Sequence, residues 1–531
     1  MAHALEKNGW QLKGRFLDLP QDKRFGDLAS NVAMRVAGLE KKSPREIASK
    51  IIQDLKEDPF FQEKVEECIQ DIKVEGAGFI NFYFSNSYFY SQLHQVVVRT
   101  GDAMRVDLGK GSPVLIEFVS ANPTGPLSVA HARQAAVGDA LAGILAYCGF
   151  SVQREYYLND EGNQINILGR SVQLRLKELQ GEGVEFPEDH YQGDYIRDMA
   201  KEILDNKIKV DDFREFAKDK ILDVIKKELE DFGVRFDSWF SQKALEESGK
   251  IRKVLDELKQ KSFMYEQDGA SWFRSTDFGD DKDRVVIKSD GSYTYLAPDI
   301  AYHADKYSRG FKKLVNLWGP DHHGYINRLK AAVLALGQPG DSLAIIIVQL
   351  ATIFREGNPV QMSTRKGQYI TLREVLDEVG LDASRFFFLM RKTSSHLDFD
   401  LEVAKKQTAE NPVYYVQYAH ARICSILRTA GAMNLQDADL ALLNHEEELG
   451  LIKKICQFTV TLSICANTLD PYMMTVYLQE LAEVFHKFYD VHRVLGTNEG
   501  LTRARLALIE ATSLTISEGL KLLGVSRPEK M

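Results

Sequence analysis

The residues Glu117-Phe-Val-Ser-Ala-Asn-Pro-Thr-Gly-Pro-Leu-Ser-Val-Ala-His131 form one continuous strand–turn–helix pattern. The strand is the apolar run Val114–Val119, and the turn is the Asn-Pro-Thr-Gly-Pro segment. After His131, apolar residues recur at helical spacing. Parallel α/β sheets bind ligands at the carboxyl ends of their strands, and a helix N-terminus attracts phosphate through its free N–H groups and its dipole. The pattern therefore predicts a phosphate-binding site beside His131.

Strands and helices alternate beyond this stretch, which is typical of an α/β domain. We predict further strands at Ser151–Tyr157, Lys313–Trp318 and Leu343–Leu350. A charged insertion, at about residues 161–293, separates the two halves and is expected to form a lobe of its own. The predicted fold class is α/β, a Rossmann-like parallel sheet with an inserted lobe.

Two further regions flank the α/β domain. The N-terminal region is predicted to be an α+β module, with a helix over Lys41–Leu55 and one strand over Ile72–Phe84 that bends at its glycines. The C-terminal region carries amphipathic helical patterns and is predicted to be an all-α bundle. The predicted units are the N-terminal module, the α/β domain, a connecting helical region and the bundle, at residues 1–110, 111–375, 376–410 and 411–531.

The composition argues against several classes of protein. The net charge is −9 over 531 residues, so the chain lacks the basic excess of a general nucleic-acid binder, and an RNA partner would need local basic patches. None of the five cysteines forms a C-x-x-C pair, so we expect no zinc ribbon and no tightly held metal. The apolar runs are too short to span a bilayer, and the expected location is the cytoplasm, with no membrane partner.

Two other polar segments follow predicted strands. Trp318-Gly-Pro-Asp-His-His-Gly324 could supply metal ligands, for which its spacing alone is weak evidence, form the wall of a substrate site, or be a polar turn with a capping Asp. Gln361-Met-Ser-Thr-Arg-Lys-Gly367 has two cations and two hydroxyls, which suit either a polyphosphate or a solvated basic turn. His131 by itself could likewise be only a helix cap. The G-x-x-x-x-G-K-[ST] and G-x-G-x-x-G phosphate loops are absent from the sequence.

Together these segments resemble the motifs of the arginyl-tRNA synthetases, a family of class I aminoacyl-tRNA synthetases. The segment Ala121–Gln134 is similar to the first class signature, and Met362–Gly367 is similar to the second. Arg385–Asp400 and Asn411–Arg422 resemble the entry to the family's anticodon-binding bundle, and Gly26–Ala33 resembles its N-terminal module. The resemblance covers nearly the whole chain and implies the class I synthetase fold.

The resemblance implies an arginine–tRNA ligase that uses L-arginine, tRNA(Arg) and ATP with Mg²⁺. The carboxylate of arginine would attack the α-phosphorus of ATP, which gives arginyl-adenylate and pyrophosphate. The terminal 2′-hydroxyl of the tRNA would then take the arginyl group. The protein would act by positioning and by charge stabilisation, without a covalent enzyme intermediate. A monomer is expected.

The resemblance also implies roles for individual residues. Glu117 and Asp299 are the candidates for the guanidinium, a planar fork of five donors that favours carboxylates. The other candidates for the arginine pocket are Ser120, Asn122 and Tyr295. The candidates for ATP binding are His131, Gly319, Asp321, His322 and Met362. The candidates for catalysis are His131, Ser128, Ser363, Arg365 and Lys366. The candidates for contact with tRNA are Tyr414, Tyr418 and Arg422, with Arg503 and Arg505 as weaker ones.

The chain departs from the family pattern at several positions. Ser128 stands where the first signature begins with His, and Ala130 stands where it has Gly. Gln361 and Thr364 replace the usual lysines of the second signature, and Gly125 stands where many members have a compensating lysine. Because few cations remain for the phosphates, a tRNA-binding protein without ligase activity is a second hypothesis. A nucleotidyltransferase acting on small molecules is a third, which the helical C-terminal third disfavours.

Overall fold

The N-terminal module contains a three-stranded antiparallel sheet. The computed structural model describes residues 1–12, 16–20, 22–360 and 369–531. The strands of the module, in the order β1-β3-β2, are β1 (Leu28–Ser30), β2 (Ile69–Glu75) and β3 (Phe79–Phe84). Its helices are α1 (Ala2–Lys7), α2 (Val32–Glu40), α3 (Pro44–Lys56) and α4 (Pro59–Lys64). The next helix, α5 (Asn86–Arg99), lies within the predicted module but is buried in the main core through Phe89 and Leu93. The single strand predicted over Ile72–Phe84 is wrong, because Gly76 and Gly78, with φ of 55° and 123°, turn the chain into a hairpin.

The middle of the chain forms a parallel sheet and two smaller sheets. Its strands are β4 (Pro113–Glu117), β5 (Ser151–Leu158), β6 (Ser238–Ser241), β7 (Met264–Gln267), β8 (Ala270–Phe273), β9 (Arg284–Ile287), β10 (Lys313–Trp318), β11 (Leu343–Ile347), β12 (Ala351–Arg355), β13 (Asn358–Pro359) and β14 (Leu397–Asp400). The parallel sheet has the order β11-β10-β4-β5-β6, while β7–β9 form one small sheet and β12–β14 the other. The strands predicted to begin at Ser151, Lys313 and Leu343 are confirmed.

The helices of this region pack around the sheet. They are α6 (Val129–Tyr147), α7 (Asn163–Leu179), α8 (Asp194–Asp205), α9 (Phe213–Asp231), α10 (Gln242–Glu247), α11 (Lys250–Gln260), α12 (Leu296–Ser308), α13 (Ile326–Ala335), α14 (Leu372–Leu389) and α15 (Leu401–Lys405). The stretch 161–293 differs from the expected separate lobe. Its strand β6 extends the parallel sheet beside β5, and Leu168 and Ile221 of its helices are fully buried in the main core. Strands β8 and β9 and helix α11 belong to a second core, which they share with α12.

The C-terminal region is an all-α bundle, as predicted. Its helices are α16 (Pro412–Ala430), α17 (Glu446–Cys456), α18 (Phe458–Thr468), α19 (Tyr472–Val491) and α20 (Glu499–Leu522). The stretch Glu446–Thr468 has the length and apolar composition of a membrane span, but it consists of two helices with Leu451 and Leu462 fully buried in the bundle. Arg385 of α14 ties the bundle to the sheet domain, because its buried guanidinium donates to the backbone oxygen of Leu523 and to the carboxylate of Asp139.

Candidate active site

The candidate site lies where the strand order of the parallel sheet reverses. Strand β4 has β5 on one side, while β10 on its other side belongs to the second half of the domain. Glu117, the last residue of β4, is in register with Asn316 of β10. The chain leaves these two strands in opposite directions, which opens a crevice at their carboxyl ends. Ligands of open α/β sheets bind at this position.

The backbone directly after β4 is strained. Val119 and Ser120 have φ of 67° and 41°, values that are uncommon outside glycine and rarer still for a β-branched residue. The backbone N–H of Tyr157 donates to Ser120 Oγ over 3.1 Å, and this hydroxyl donates in turn to Glu117 Oε1 over 3.3 Å. Strain of this kind persists where the surroundings over-determine it, and it clusters at ligand sites. The bend therefore fixes the position of Glu117.

The two predicted acids of the pocket lie close together. Glu117 ends β4, and Asp299 lies in the first turn of α12. Glu117 Oε2 accepts a 2.5 Å hydrogen bond from Lys306 Nζ, and Asp299 Oδ2 accepts a 2.6 Å hydrogen bond from the hydroxyl of Tyr325. Burial, together with the nearby charge of Glu117, raises the pKa of Asp299 to about 7. The crevice thus contains two acids, each with one oxygen held by another side chain.

Two other predicted pocket residues lie nearer to solvent. Tyr295, the residue before α12, has 79% of its surface exposed. Asn122 is also exposed, and its amide donates to Gln164 Oε1 over 2.7 Å. Both residues are accessible to a substrate. The hydroxyl of Ser120, in contrast, already has the two partners described above.

His131 combines a capping role with a ring donor that has no hydrogen-bond partner among the described residues. It is the third residue of α6, and the backbone N–H of Ser128, the N-cap, donates to its Nδ1 over 3.2 Å. Because Nδ1 accepts this hydrogen bond, the proton of the neutral ring lies on Nε2. Burial lowers the pKa of His131 to about 4, so the ring is neutral at pH 7. His131 therefore offers a hydrogen-bond donor to a ligand, and not a positive charge.

The segment after β10 closes the other side of the crevice. Gly319 precedes the short 3₁₀ helix Pro320–Tyr325, which contains Asp321 and His322. A Cβ atom at Gly319 would lie 2.5 Å from Asp321 Oδ1, so glycine lets this carboxylate fold against the backbone. The other oxygen of Asp321 lies 3.3 Å from His322 Nε2. Burial lowers the pKa of His131, and the negative charge of Asp321 raises it. Asp321 is therefore near enough to act on His131, which places this segment opposite the start of α6.

The second signature loop lies outside the described residues, and with it the candidates Met362, Ser363, Arg365 and Lys366. The chain directly after this loop is paired with the first signature. The N–H of Val129 donates to the oxygen of Ile370 over 3.1 Å, and the N–H of Leu372 donates to the oxygen of Leu127 over 2.8 Å. The first signature is therefore joined by backbone hydrogen bonds to the chain that follows the second signature.

Family models match along almost the whole chain. The model "Arginyl tRNA synthetase N terminal domain" matches residues 1–84, "tRNA synthetases class I (R), catalytic domain" matches 92–424, and "DALR anticodon binding domain" matches 416–531. The chain belongs to the arginyl-tRNA synthetase family. The family prediction made from the two signatures is confirmed.

Individual arginyl-tRNA synthetases are similar over most of their length. The Arginine--tRNA ligase of Citrifermentans bemidjiense is 47% identical, covering 97% of this chain and 94% of that protein. The Bacillus subtilis enzyme of the same name is 46% identical, with 98% and 95% covered. A solved structure of a putative arginyl-tRNA synthetase from Campylobacter jejuni has a TM-score of 0.78 and 38% identity, and the match covers 84% of this chain and 100% of that one. The Thermus thermophilus synthetase, with a TM-score of 0.80, 22% identity and coverage of 100% and 98%, supports the fold alone. The predicted class I synthetase fold is confirmed.

The predicted tRNA contacts of this synthetase share one face of α16. The rings of Tyr414 and Tyr418 are stacked with centroids 6.2 Å apart, and the guanidinium of Arg422 lies 5.3 Å from the Tyr418 centroid. All three side chains are half-buried. The prediction that Arg505 contacts phosphate is wrong, because Arg505 is buried and donates to Glu448 Oε1 over 2.8 Å.

Sequence analysis did not identify the residues whose hydrogen bonds orient the predicted site residues. They are Tyr157, Gln164, Lys306 and Tyr325. Lys306 had a detectable signal, since it lies seven residues after Asp299 and therefore on the same face of a helix. Tyr325 had none, because its contact with Asp299 depends on how the segment after β10 packs.

Proposed function

The protein is an arginine–tRNA ligase, and we propose that the crevice between β4 and β10 is the site at which it activates arginine with ATP and transfers the arginyl group to tRNA. The observation that supports this best is the pair Glu117 and Asp299 beside the N-terminus of α6. Two carboxylates suit a guanidinium, and a helix N-terminus suits phosphate. The crevice therefore has one subsite for the guanidinium of arginine and one for the phosphates of ATP.

The arginine half is assigned as follows. Glu117 Oε1 and Asp299 Oδ1 accept hydrogen bonds from the guanidinium, because the other oxygen of each acid is already bound by Lys306 or Tyr325. Asn122 and Ser120 are assigned to the α-amino end of arginine, with Ser120 also holding Glu117. Tyr295 covers the mouth of the pocket.

The nucleotide half binds ATP as its Mg²⁺ complex. His131 donates from Nε2 to a phosphate oxygen, and Ser128 fixes the ring through Nδ1. The residues that border the adenosine are Gly319, Asp321 and His322. The residues assigned to the departing pyrophosphate are Met362, Ser363, Arg365 and Lys366. In the part of the chain that the structure describes, no group of three or more His, Cys, Asp or Glu side chains could hold a metal ion, so the Mg²⁺ is assigned to the substrate.

The bundle binds the anticodon arm of tRNA(Arg). Single-stranded bases stack on aromatic side chains, and the paired rings of Tyr414 and Tyr418, with Arg422 beside them, form a surface of that type. The protein works as a cytoplasmic monomer that does not need a membrane.

Charging of tRNA with radiolabelled arginine tests this proposal. The folded protein should charge tRNA(Arg) with arginine in the presence of ATP, and pyrophosphate exchange should require added tRNA. Glu117→Gln removes a charge from the pocket and should raise the KM for arginine, while Glu185→Gln, at an exposed position, should not. Folded protein that binds tRNA without charging it would instead support the second hypothesis, a binding protein without ligase activity.

A further inference from the structure

We propose that Lys306 is the internal counter-cation of the arginine pocket. In this role it holds one oxygen of Glu117 and sets the net charge of the pocket to match one guanidinium. Lys306 is a positioning residue, because it acts on the substrate through Glu117. The inference rests on the proposed assignment of Glu117 and Asp299 to arginine.

The ammonium group of Lys306 is fully enclosed by protein. The residue has no exposed surface, and its Nζ lies 2.5 Å from Glu117 Oε2 and 3.3 Å from Asn316 Oδ1. The same Nζ lies 4.0 Å from the centroid of the Tyr302 ring, at cation–π distance. Lysine is almost never fully buried without a charged partner. The pairing with Glu117 is therefore what keeps this charge inside the fold.

A second layer of hydrogen bonds fixes the direction of this pair. The Nδ2 of Asn316 lies 2.9 Å from His303 Nε2, and His303 Nδ1 lies 2.8 Å from the backbone oxygen of Asp299. Since Asn316 Oδ1 accepts from the ammonium, Nδ2 donates to His303, and His303 donates from Nδ1 to Asp299. Burial lowers the pKa of His303 well below its usual range, which agrees with this neutral tautomer. The chain of bonds runs from Glu117 through Lys306, Asn316 and His303 to Asp299.

This network determines which carboxylate oxygens of the pocket remain available to a ligand. Among the described residues, the remaining oxygen of Glu117, Oε1, has only the 3.3 Å hydrogen bond from Ser120, and no hydrogen bond to Asp299 Oδ1 is found. A ligand can thus reach one carboxylate oxygen of Glu117 and one of Asp299, and a planar guanidinium can donate to both. With Lys306 present, two carboxylates and one ammonium leave a net charge of −1 when both acids are ionised. Lys306 lowers the pKa of Asp299, so without it the two adjacent acids would keep a shared proton up to a higher pH, and arginine would have to displace that proton.

Isothermal titration with arginine and with its neutral isostere citrulline tests the proposal on the full chain. Lys306→Met removes the charge and should weaken arginine binding by about tenfold or more, because arginine must then displace a proton that the two acids hold more tightly. It should affect citrulline and ATP much less, so the preference for arginine over citrulline should fall. Lys306→Arg restores the cation and should recover most of that preference. Lys312→Met, at an exposed lysine, is the matched control and should change nothing.

The outcomes separate this inference from the pocket assignment. If Glu117→Gln weakens arginine binding while Lys306→Met leaves the preference unchanged, the role of Lys306 is refuted and the assignment stands. If Glu117→Gln has no effect either, the assignment itself fails. Equal losses for arginine, citrulline and ATP in Lys306→Met would show a purely structural role and overturn the proposal. If Lys306→Met does not fold, the same titrations are carried out on Lys306→Gln, which keeps an N–H donor but has no charge.

Discussion

Arginine binding should release a proton at slightly acidic pH, because Asp299 must be ionised to accept the guanidinium. Burial and the charge of Glu117 raise the pKa of Asp299 from its usual 3.8 to about 7, against the hydrogen bond from Tyr325. Asp299 is then about nine-tenths ionised at pH 8 and about one-tenth ionised at pH 6. The dissociation constant for arginine should therefore rise about tenfold as the pH falls from 8 to 6. The guanidinium itself stays charged throughout this range.

Calorimetry in two buffers of different ionisation enthalpy measures both quantities. At pH 6 the binding of arginine should release about 0.9 proton, and at pH 8 about 0.1. His131 and His303 do not supply this proton, since burial lowers the pKa of the first to about 4 and that of the second well below its usual range. The Asp299→Asn variant should bind arginine weakly with no pH dependence in this window. An affinity that is flat from pH 6 to 8, with no proton released, would refute the reasoning.

Two further predictions concern the supports of the site. Arg385→Met should lower the free energy of unfolding by about 2–4 kcal/mol, because it leaves the carbonyls of Leu523 and Phe232 without their buried donor, while Asp139 keeps Arg154 as a partner. Denaturant unfolding measures this, with exposed Arg391→Met as the control. An unchanged stability would contradict it. Ser128→Ala should lower the free energy of unfolding by about 1 kcal/mol, because the N-cap side chain is lost. It should slow pyrophosphate exchange by less than tenfold, because the backbone N–H of Ser128 still donates to His131. A loss of exchange activity as large as that of His131→Ala would show that the hydroxyl acts directly.

The longer strands of the sheet were predictable from the sequence, and its short polar strand was not. The strands beginning at Ser151, Lys313 and Leu343 were found from their β-rich runs. Strand β6 has only four residues, two of them serine, and its pairing with β5 joins segments about 80 residues apart. No local pattern reveals such a pairing. The insertion therefore looked like a separate lobe, although β6 and its helices complete the main domain.

The site was predictable only where a motif marks it. The acids Glu117 and Asp299 came from the resemblance to a family, and the structure places them together. Lys306 and Tyr325, which hold them, are ordinary residues of a helix and a turn in the sequence. Their roles follow from the packing of α12 and of the segment after β10 against the end of β4. Local sequence patterns cannot give these contacts, because they join three separate elements.

Because the chain departs from the family pattern, it must be asked which groups neutralise the phosphates of ATP. The geometry of the first signature shows which groups do not. Ser128 cannot carry a charge, and His131 is neutral at pH 7 because burial lowers its pKa to about 4. A Cβ atom at Gly125 would lie 3.1 Å from the hydroxyl of Tyr195 and 3.3 Å from that of Tyr369, and both hydroxyls donate to carbonyls of the same turn. The Cβ atom of a lysine at that position would require both phenols to move by a few tenths of an ångström, so the turn is crowded at the place where other members have the compensating cation. We therefore expect the first signature to supply hydrogen bonds and the helix dipole, and we propose that Arg365 and Lys366 of the second signature supply positive charge to the departing pyrophosphate.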